Sequence, residues 1–318
     1  MMKAVVVHGA GGPEVLKLES RPMPVPGKGE VRIAVKAFGL NRSELFTRQG
    51  HSPSVVFPRI LGIEAVGIVD AAPGGEFAQG DMVATVMGGM GRQFDGSYAE
   101  FTCVPATQVR RLTSTLDWEV LGALPEMLQT AWGALFSSLN LQAGHRLLVR
   151  GGTTSVGMAA IALARRAGAD VTATTRRQDR RGLLEMLGAD RVLIDDGDLS
   201  KSGNRFDRIL ELVGATTLED SLLCADRGGL VCMAGIVGNT WTMPNFAPMD
   251  AIPNRVVLTS YSGEPEDFMA MPLQDLLDDI AGKRLNIKIG RVFSIDEIVD
   301  AHRCMEANAA EGKIVILV

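Results

Sequence analysis

Between Arg150 and Gly157 the chain reads RGGTTSVG, after the apolar run HRLLV and before the alanine-rich run MAAIALARRAGA. Gly152 and Gly157 bracket three hydroxyl side chains, Thr153, Thr154 and Ser155. The flanking pattern predicts a buried strand that turns into a helix starting at about Val156. Val156, Ala159, Ala160, Leu163, Ala164 and Ala167 would form the apolar face of that helix. The first N–H groups of a helix lack intrahelical partners and carry partial positive charge, so such a turn can hold a pyrophosphate. Aligned with the G-x-G-x-x-G fingerprint, Gly152 and Gly157 take the outer positions and Thr154 stands where the middle glycine belongs. Backbone approach is then less close, and the three hydroxyls are expected to supply donors instead. The plainer alternative is an ordinary strand-to-helix turn.

The next strand-like run, DVTATTR, bears on which dinucleotide such a turn would hold. A site reading the ribose 2′-hydroxyl keeps an acid about twenty residues on; here that place falls at Thr174, and Arg176 and Arg177 follow it. Arginine grips a 2′-phosphate through charge-assisted bonds, whereas an aspartate would repel it. The pair therefore favours NADPH. The competing reading is a solvated basic face on the following helix, which accounts for Arg180 and Arg181.

A third feature is Glu64, a lone carboxylate in the apolar stretch LGIEAVG. An unpaired buried carboxylate is costly, so it is expected to be a metal ligand, a catalytic acid, or a structural group held by an arginine or by backbone N–H groups. Four cysteines, Cys103, Cys224, Cys232 and Cys304, are scattered without C-x-x-C spacing, which argues against a zinc ribbon or a disulfide framework.

Two textures position these groups. Residues 1 to about 112 alternate short β-rich runs (KAVVVH, VRIAVKAFGL, EAVGIVDAAPGG, GDMVATV, YAEFTCVP) with Gly/Pro punctuation, which predicts a partly open antiparallel barrel. From about Leu116, strands alternate with helices, and about six strands are countable, as in a parallel, doubly wound sheet. The tail, with LQDLLDDIAGK and SIDEIVDAHRCMEAN as amphipathic helices and IKIGRVF and KIVILV as strands, is separate again. At 318 residues, with 46% hydrophobic and 22% charged residues, the composition is that of a globular protein. A net charge of −5 gives no general reason to bind nucleic acid or anionic membranes. No apolar run approaches a membrane span. MMKAVVVHGAGGPEVL moves directly into strand-like sequence rather than a secretory leader, so a cytoplasmic protein is expected.

Taken in order, NRSELFTRQG, LGIEAVGIV, GDMVATV, LPEMLQTAW, RGGTTSVG, LGAD and GKIVILV make the chain similar to the medium-chain dehydrogenase/reductases, and in particular to their zinc-independent quinone oxidoreductases. The resemblance spans essentially the whole chain. It implies a GroES-like substrate domain (residues 1–119 and 265–318) around a Rossmann domain (120–264), with NADPH as reductant. Quinones, enones and other activated alkenes are the implied substrates, and a homodimer joined through the nucleotide sheets the implied assembly. Zinc-dependent relatives carry a cysteine before the barrel helix, a GHE motif, a further cysteine and a four-cysteine lobe. Here the first position lies at about Asn41, GHE is replaced by Gly62-Ile63-Glu64, no cysteine lies near Glu126–Thr130, and the lobe is missing. A catalytic zinc needs three protein ligands, so a metal-free enzyme is expected.

By the same resemblance Asn41 and Thr130 lie near the nicotinamide; the alternatives are a turn residue closing AVKAFGL and an ordinary helical threonine. Val213, Gly235, Ile236, Val237, Ser260 and Tyr261 follow strands at their carboxyl ends, where doubly wound sheets bind ligands. Lys313 either reaches the cofactor or is a surface lysine. The nicotinamide carries the hydride; for the proton, Tyr261 and His51 are the candidates retained, with Tyr98 and Arg48 also considered and water as the remaining source. Two other readings compete: an alcohol or enoyl-thioester reductase on the same scaffold, and a nucleotide-loaded sensor or RNA-binding protein. The absence of a tyrosine in Gly50-His51-Ser52-Pro53 weakens the enoyl-thioester reading. The acidic balance and 5% aromatic content weaken the RNA reading.

Overall fold

The computed structural model describes residues 1–318, which divide into two compact units. The first comprises Met1–Glu126, Glu264–Ala281 and Ile289–Val318, and the second Met127–Gly263 and Gly282–Lys288. No helix is long and apolar enough to cross a membrane.

In the first unit the long strand Glu30–Gly39 organises the main sheet. It pairs antiparallel with Glu64–Ala71, Phe101–Pro105 and Lys313–Leu317. Met82–Val86 and Val109–Arg111 extend the sheet on one side, and Ile289–Ser294 runs parallel to Lys313–Leu317 on the other. A three-stranded sheet is made by Leu16–Arg21, Met2–Val7 and Arg59–Ile60. LKLESR is a strand that the apolar pattern did not reveal: apart from Leu16 it is exposed or half-buried, and it is fixed by pairing with Met2–Val7 rather than by its own hydrophobicity. Val5, Val31, Ile33, Phe38, Leu61, Val83, Ala99 and Ile316 form part of one buried core.

The second unit is the expected parallel sheet. Its strands are Arg146–Arg150, Asp170–Thr175, Arg191–Ile194, Phe206–Glu211, Ala225–Met233 and Val257–Ser260, and every pairing is parallel. Counted along the chain, their order across the sheet is 3-2-1-4-5-6, the dinucleotide-fold order. Ser155–Arg166 connects the first two strands; its residues Gly157–Ala164 are all buried, so its apolar stripe is wider than a single face. The apolar residues from Leu128 to Leu139 lie on a helix, Pro125–Trp132, that continues as a π-helical turn over Gly133–Ser138.

Candidate active site

At the carboxyl end of the strand Arg146–Arg150, Gly151 adopts φ +87. The N–H of Gly152 donates to the carbonyl of Thr174 (3.1 Å), and that of Thr154 donates to Gly151 (3.1 Å). The helix starts at Ser155, and Thr154 is its N-cap. The Thr154 hydroxyl donates to the Gly151 carbonyl (2.9 Å) and accepts from the Gly157 N–H (2.9 Å). This corrects the expectation that all three hydroxyls serve as donors: Thr154 is spent on the cap, as N-cap threonines commonly are. Thr153 is exposed and Ser155 and Val156 are half-buried. The N–H groups of Ser155 and Val156 precede the first intrahelical bonds and stay open for an anion. Gly157 must be glycine, because a Cβ there would stand 2.5 Å from the Gly151 carbonyl oxygen.

Thr174 and the two arginines follow on the neighbouring strand. Thr174 is buried, and its hydroxyl accepts the Gly151 N–H (3.1 Å). Arg177 is exposed and forks onto Asp179 (3.0 and 2.5 Å), whose carboxyl it holds below the usual range. Arg176 is exposed and makes no hydrogen bond or ion pair. The pair expected to act together is thus divided, with Arg176 as the available cation.

Further along the same sheet edge, two loops interlock. Val213 accepts from Gly238 N–H (2.8 Å), the Val237 N–H donates to the Leu212 carbonyl (3.1 Å), and a Cβ on Gly235 would stand 2.6 Å from the Leu212 oxygen. The half-buried Gly235, Ile236 and Val237 are therefore brought beside Val213, whose own N–H donates to Glu211 (2.7 Å). Ser260, which ends the last strand, is exposed, and the Tyr261 N–H that follows donates to Met233 (3.0 Å). The Tyr261 ring lies over Gly133, where a Cβ would be 2.1 Å from the ring. Thr130, half-buried, precedes Gly133 by three residues and shares its side of the helix.

The first unit gathers a separate set of residues around Glu64. Glu64 and Lys313 are both buried, and the Lys313 ammonium lies 3.0 Å from Oε1 of Glu64. Oε1 also accepts from Asn41 Nδ2 (2.9 Å), and Oε2 accepts from the N–H of Glu126 (2.8 Å). The Asn41 Oδ1 accepts from Lys313 (2.5 Å), and Glu126 lies 3.4 Å from the same ammonium. Two expectations are corrected here. Lys313 is not a surface lysine, and the cation holding Glu64 is this lysine rather than an arginine. Burial alone would lower the Lys313 pKa, but Glu64 and Glu126 together raise it. Asn41 is the N-cap of Arg42–Arg48 in a capping box with Glu44. The signal for Glu44 was present as N-x-x-E in NRSE.

Two proton-donor candidates are structural. Tyr98 is fully buried, stacks on Phe38 (4.8 Å) and bonds through its hydroxyl to Nε2 of His302 (3.0 Å). Arg48 is buried and pairs with Glu306. His51 is exposed, with its ring near-perpendicular to that of Phe46. No three His, Cys, Asp or Glu side chains converge to hold a metal ion.

Two buried groups in this unit have opposite effects on stability. Burial, with the Glu64 carboxylate, pushes the Glu44 carboxyl from 4.5 up to about 7. Burial, with Arg48, pulls the His302 imidazole from 6.5 down to about 3. Folded Glu44 holds its proton more tightly, so its contribution is fully present below 4.5 and is lost as pH rises through about 7. His302 gains a proton only on unfolding, so its contribution is full above 6.5 and is lost as pH falls towards about 3. The slopes oppose each other from pH 4.5 to 6.5. Urea midpoints of wild type should vary little there, Glu44→Gln should leave stability rising with pH, and His302→Gln should leave it falling. A Glu44→Gln profile identical to wild type contradicts this account.

Comparison with known proteins agrees with the architecture. Residues 27–114 match the alcohol dehydrogenase GroES-like domain family, and residues 187–316 match the family described as zinc-binding dehydrogenase. A quinone oxidoreductase of Sus scrofa is 30% identical over 336 residues, covering 100% of this chain and 98% of that protein. A quinone oxidoreductase of Pseudomonas aeruginosa is 28% identical over 336 residues, with 100% of both chains covered. Among solved structures, a mycobacterial protein complexed with NADPH superposes with TM-score 0.87 at 27% identity over 100% of both chains. A thermostable alcohol dehydrogenase from Pyrobaculum aerophilum gives TM-score 0.86 at 26% identity, covering 100% of this chain and 99% of that one.

Proposed function

Because the chain belongs to the quinone oxidoreductase branch of the medium-chain dehydrogenase/reductase superfamily and is a nicotinamide-dependent oxidoreductase, we propose that it transfers hydride from NADPH to quinones or α,β-unsaturated carbonyl compounds without a metal ion. The observation that carries the choice of NADPH is the unpaired, exposed Arg176, which follows a strand whose Thr174 offers no acid. The nucleotide turn also fits a dinucleotide: two N–H groups, at Ser155 and Val156, precede the first intrahelical bonds beside a glycine crossing with no room for a side chain.

In this reading Ser155 and Val156 bind the pyrophosphate, with Gly152, Thr153 and Gly157 shaping the cradle and Thr154 capping the helix behind it. Arg176 pairs with the 2′-phosphate, and Arg177 stays tied to Asp179. Val213, Gly235, Ile236, Val237 and Ser260 border the cofactor along the strand ends. Tyr261 and Thr130 line the nicotinamide end of this unit. When bound, the nicotinamide supplies the hydride. A metal is not required by this chemistry, and the oxygens of Glu64 are already committed to Lys313, Asn41 and the Glu126 backbone. The proton is assigned to water, since a reduced quinone or an enolate is readily protonated by solvent. Neither Tyr261, packed on Gly133, nor the exposed His51 is needed for it. The strand Val257–Ser260 is an open sheet edge with Val257 50% exposed, which supports a homodimer formed by pairing that edge.

The test is steady-state loss of NADPH absorbance with a panel of quinones and enones. Turnover is expected, and NADPH bound without turnover of any of them would sink the proposal. Arg176→Ala should weaken NADPH binding by about tenfold, the size of one charge-assisted contact at an exposed site, and leave NADH binding unchanged. Equal losses for both nucleotides in fluorescence titrations would remove Arg176 from the 2′-phosphate.

A further inference from the structure

Thr174 stands where an NADH-reading fold keeps its acid, yet its hydroxyl points inward, to a buried series of polar groups. The residue is 1% exposed. Its Oγ1 accepts the Gly151 N–H (3.1 Å) and donates to Oδ2 of Asp195 (3.3 Å). Its backbone carbonyl accepts the Gly152 N–H (3.1 Å), so both glycines that open the nucleotide turn are tied to this one residue. Asp195 is held in a fork by Arg150, Nε to Oδ2 and Nη2 to Oδ1, each 2.8 Å. The remaining Arg150 nitrogen donates to Asp220 (2.7 Å), to the Ser221 hydroxyl (3.0 Å) and to the Thr217 carbonyl (3.1 Å). Arg150 is itself fully buried.

This arrangement fixes a direction. Both oxygens of Asp195 already accept from Arg150, and a carboxylate oxygen offers the hydroxyl an acceptor. The single hydroxyl proton of Thr174 therefore goes to Asp195, and the oxygen lone pair is left for the Gly151 N–H. Gly151, at φ +87, sets the angle at which the strand enters the turn. An ionised acid in this place would set its carboxylate against that of Asp195 at hydrogen-bond distance.

We propose that Thr174 is a positioning residue: through Gly151 and Gly152 it sets the nucleotide turn for either dinucleotide, with Arg150 and Asp195 fixing the polarity of its hydroxyl, and discrimination between the two falls to Arg176. This rests on the reading of the turn as the nicotinamide-dinucleotide site. It separates two effects that sequence position alone would merge, since the residue at the ribose-reading position would act on affinity and not on choice.

The experiment uses the full chain as wild type, Thr174→Val, Thr174→Ala, Thr174→Ser, Asp195→Asn and Arg176→Ala. Dissociation constants for NADPH and NADH are read by quenching of protein fluorescence, and hydrogen exchange is followed in the peptide containing Gly151 without nucleotide. Thr174→Val should weaken both nucleotides alike, by about five- to tenfold for one lost hydrogen bond, and speed exchange at that peptide. Thr174→Ser should restore both. Arg176→Ala should weaken NADPH alone and leave exchange unchanged. Asp195→Asn, which sets an N–H donor against Arg150 in place of an acceptor, should also weaken both nucleotides equally, and Thr174→Ala decides the matter if Thr174→Val does not fold. Wild-type affinity in Thr174→Val overturns the assignment, as does a loss confined to NADPH, which would put the hydroxyl on the 2′-phosphate. Wild type that binds neither nucleotide overturns the site itself, and this assignment with it.

Discussion

Lys313→Met is expected to destabilise the protein by about 3–5 kcal/mol, the cost of leaving one member of a buried ion pair without its partner. Glu64 has no exposure to water, and Lys313 is the ammonium closest to it, at 3.0 Å. With the lysine gone, Glu64 would keep only the Asn41 amide and the Glu126 N–H, while the buried Glu44 carboxyl lies close enough to feel its charge. The chain is shaped around this pair: a Cβ on Gly39 would stand 2.2 Å from Cε of Lys313 and 2.5 Å from Oε1 of Glu64. Urea midpoints measured in a double-mutant cycle check the account. Lys313→Met with Glu64→Gln should recover a large part of the loss, because removing both charges is far less harmful than removing one. A single Lys313→Met variant with the wild-type midpoint contradicts it.

Arg150→Met should cost the second unit a comparable amount, again about 3–5 kcal/mol, and Arg150→Lys should rescue little of it. Arg150 is 0% exposed and satisfies both oxygens of Asp195 and one of Asp220. Asp220 in turn accepts the N–H groups of Leu199 (2.9 Å) and Ser200 (3.0 Å), so the guanidinium, at the end of one strand, joins segments that follow two others. A lysine has one nitrogen and cannot reproduce the planar fork. Thermal melts of the purified variants, each compared with wild type, read the effect. A lysine variant melting with wild type would show that charge alone suffices.

These residues also mark how far the sequence could be read. The fold was legible because both of its periodicities are strong: short alternating runs with Gly/Pro breaks in the first unit, and strand–helix alternation in the second, whose six parallel strands match the number counted. The strand-to-helix turn after Arg150 was legible because its cue is local. Thr154 was read as a donor when the rule that places Thr at an N-cap already applied to it. Lys313 was not legible. At the head of KIVILV it looks like a lysine at a strand end, and only the pairing of that strand with Glu30–Gly39 brings it to Glu64. The Arg150–Asp195–Thr174 series is hidden for the same reason, since its members lie at or just past the carboxyl ends of three different strands and meet only once the parallel sheet is formed. The buried Tyr98–His302 pair, 204 residues apart, follows the same logic.

The central claim is a metal-independent hydride transfer from NADPH to a quinone or enone. The most direct measurement is the initial rate of NADPH absorbance loss with a p-quinone, using protein dialysed exhaustively against a strong chelator. The account predicts turnover at the undialysed rate, unchanged by added zinc. A rate that vanishes on dialysis and returns with zinc would contradict it, as would bound NADPH with no turnover at all.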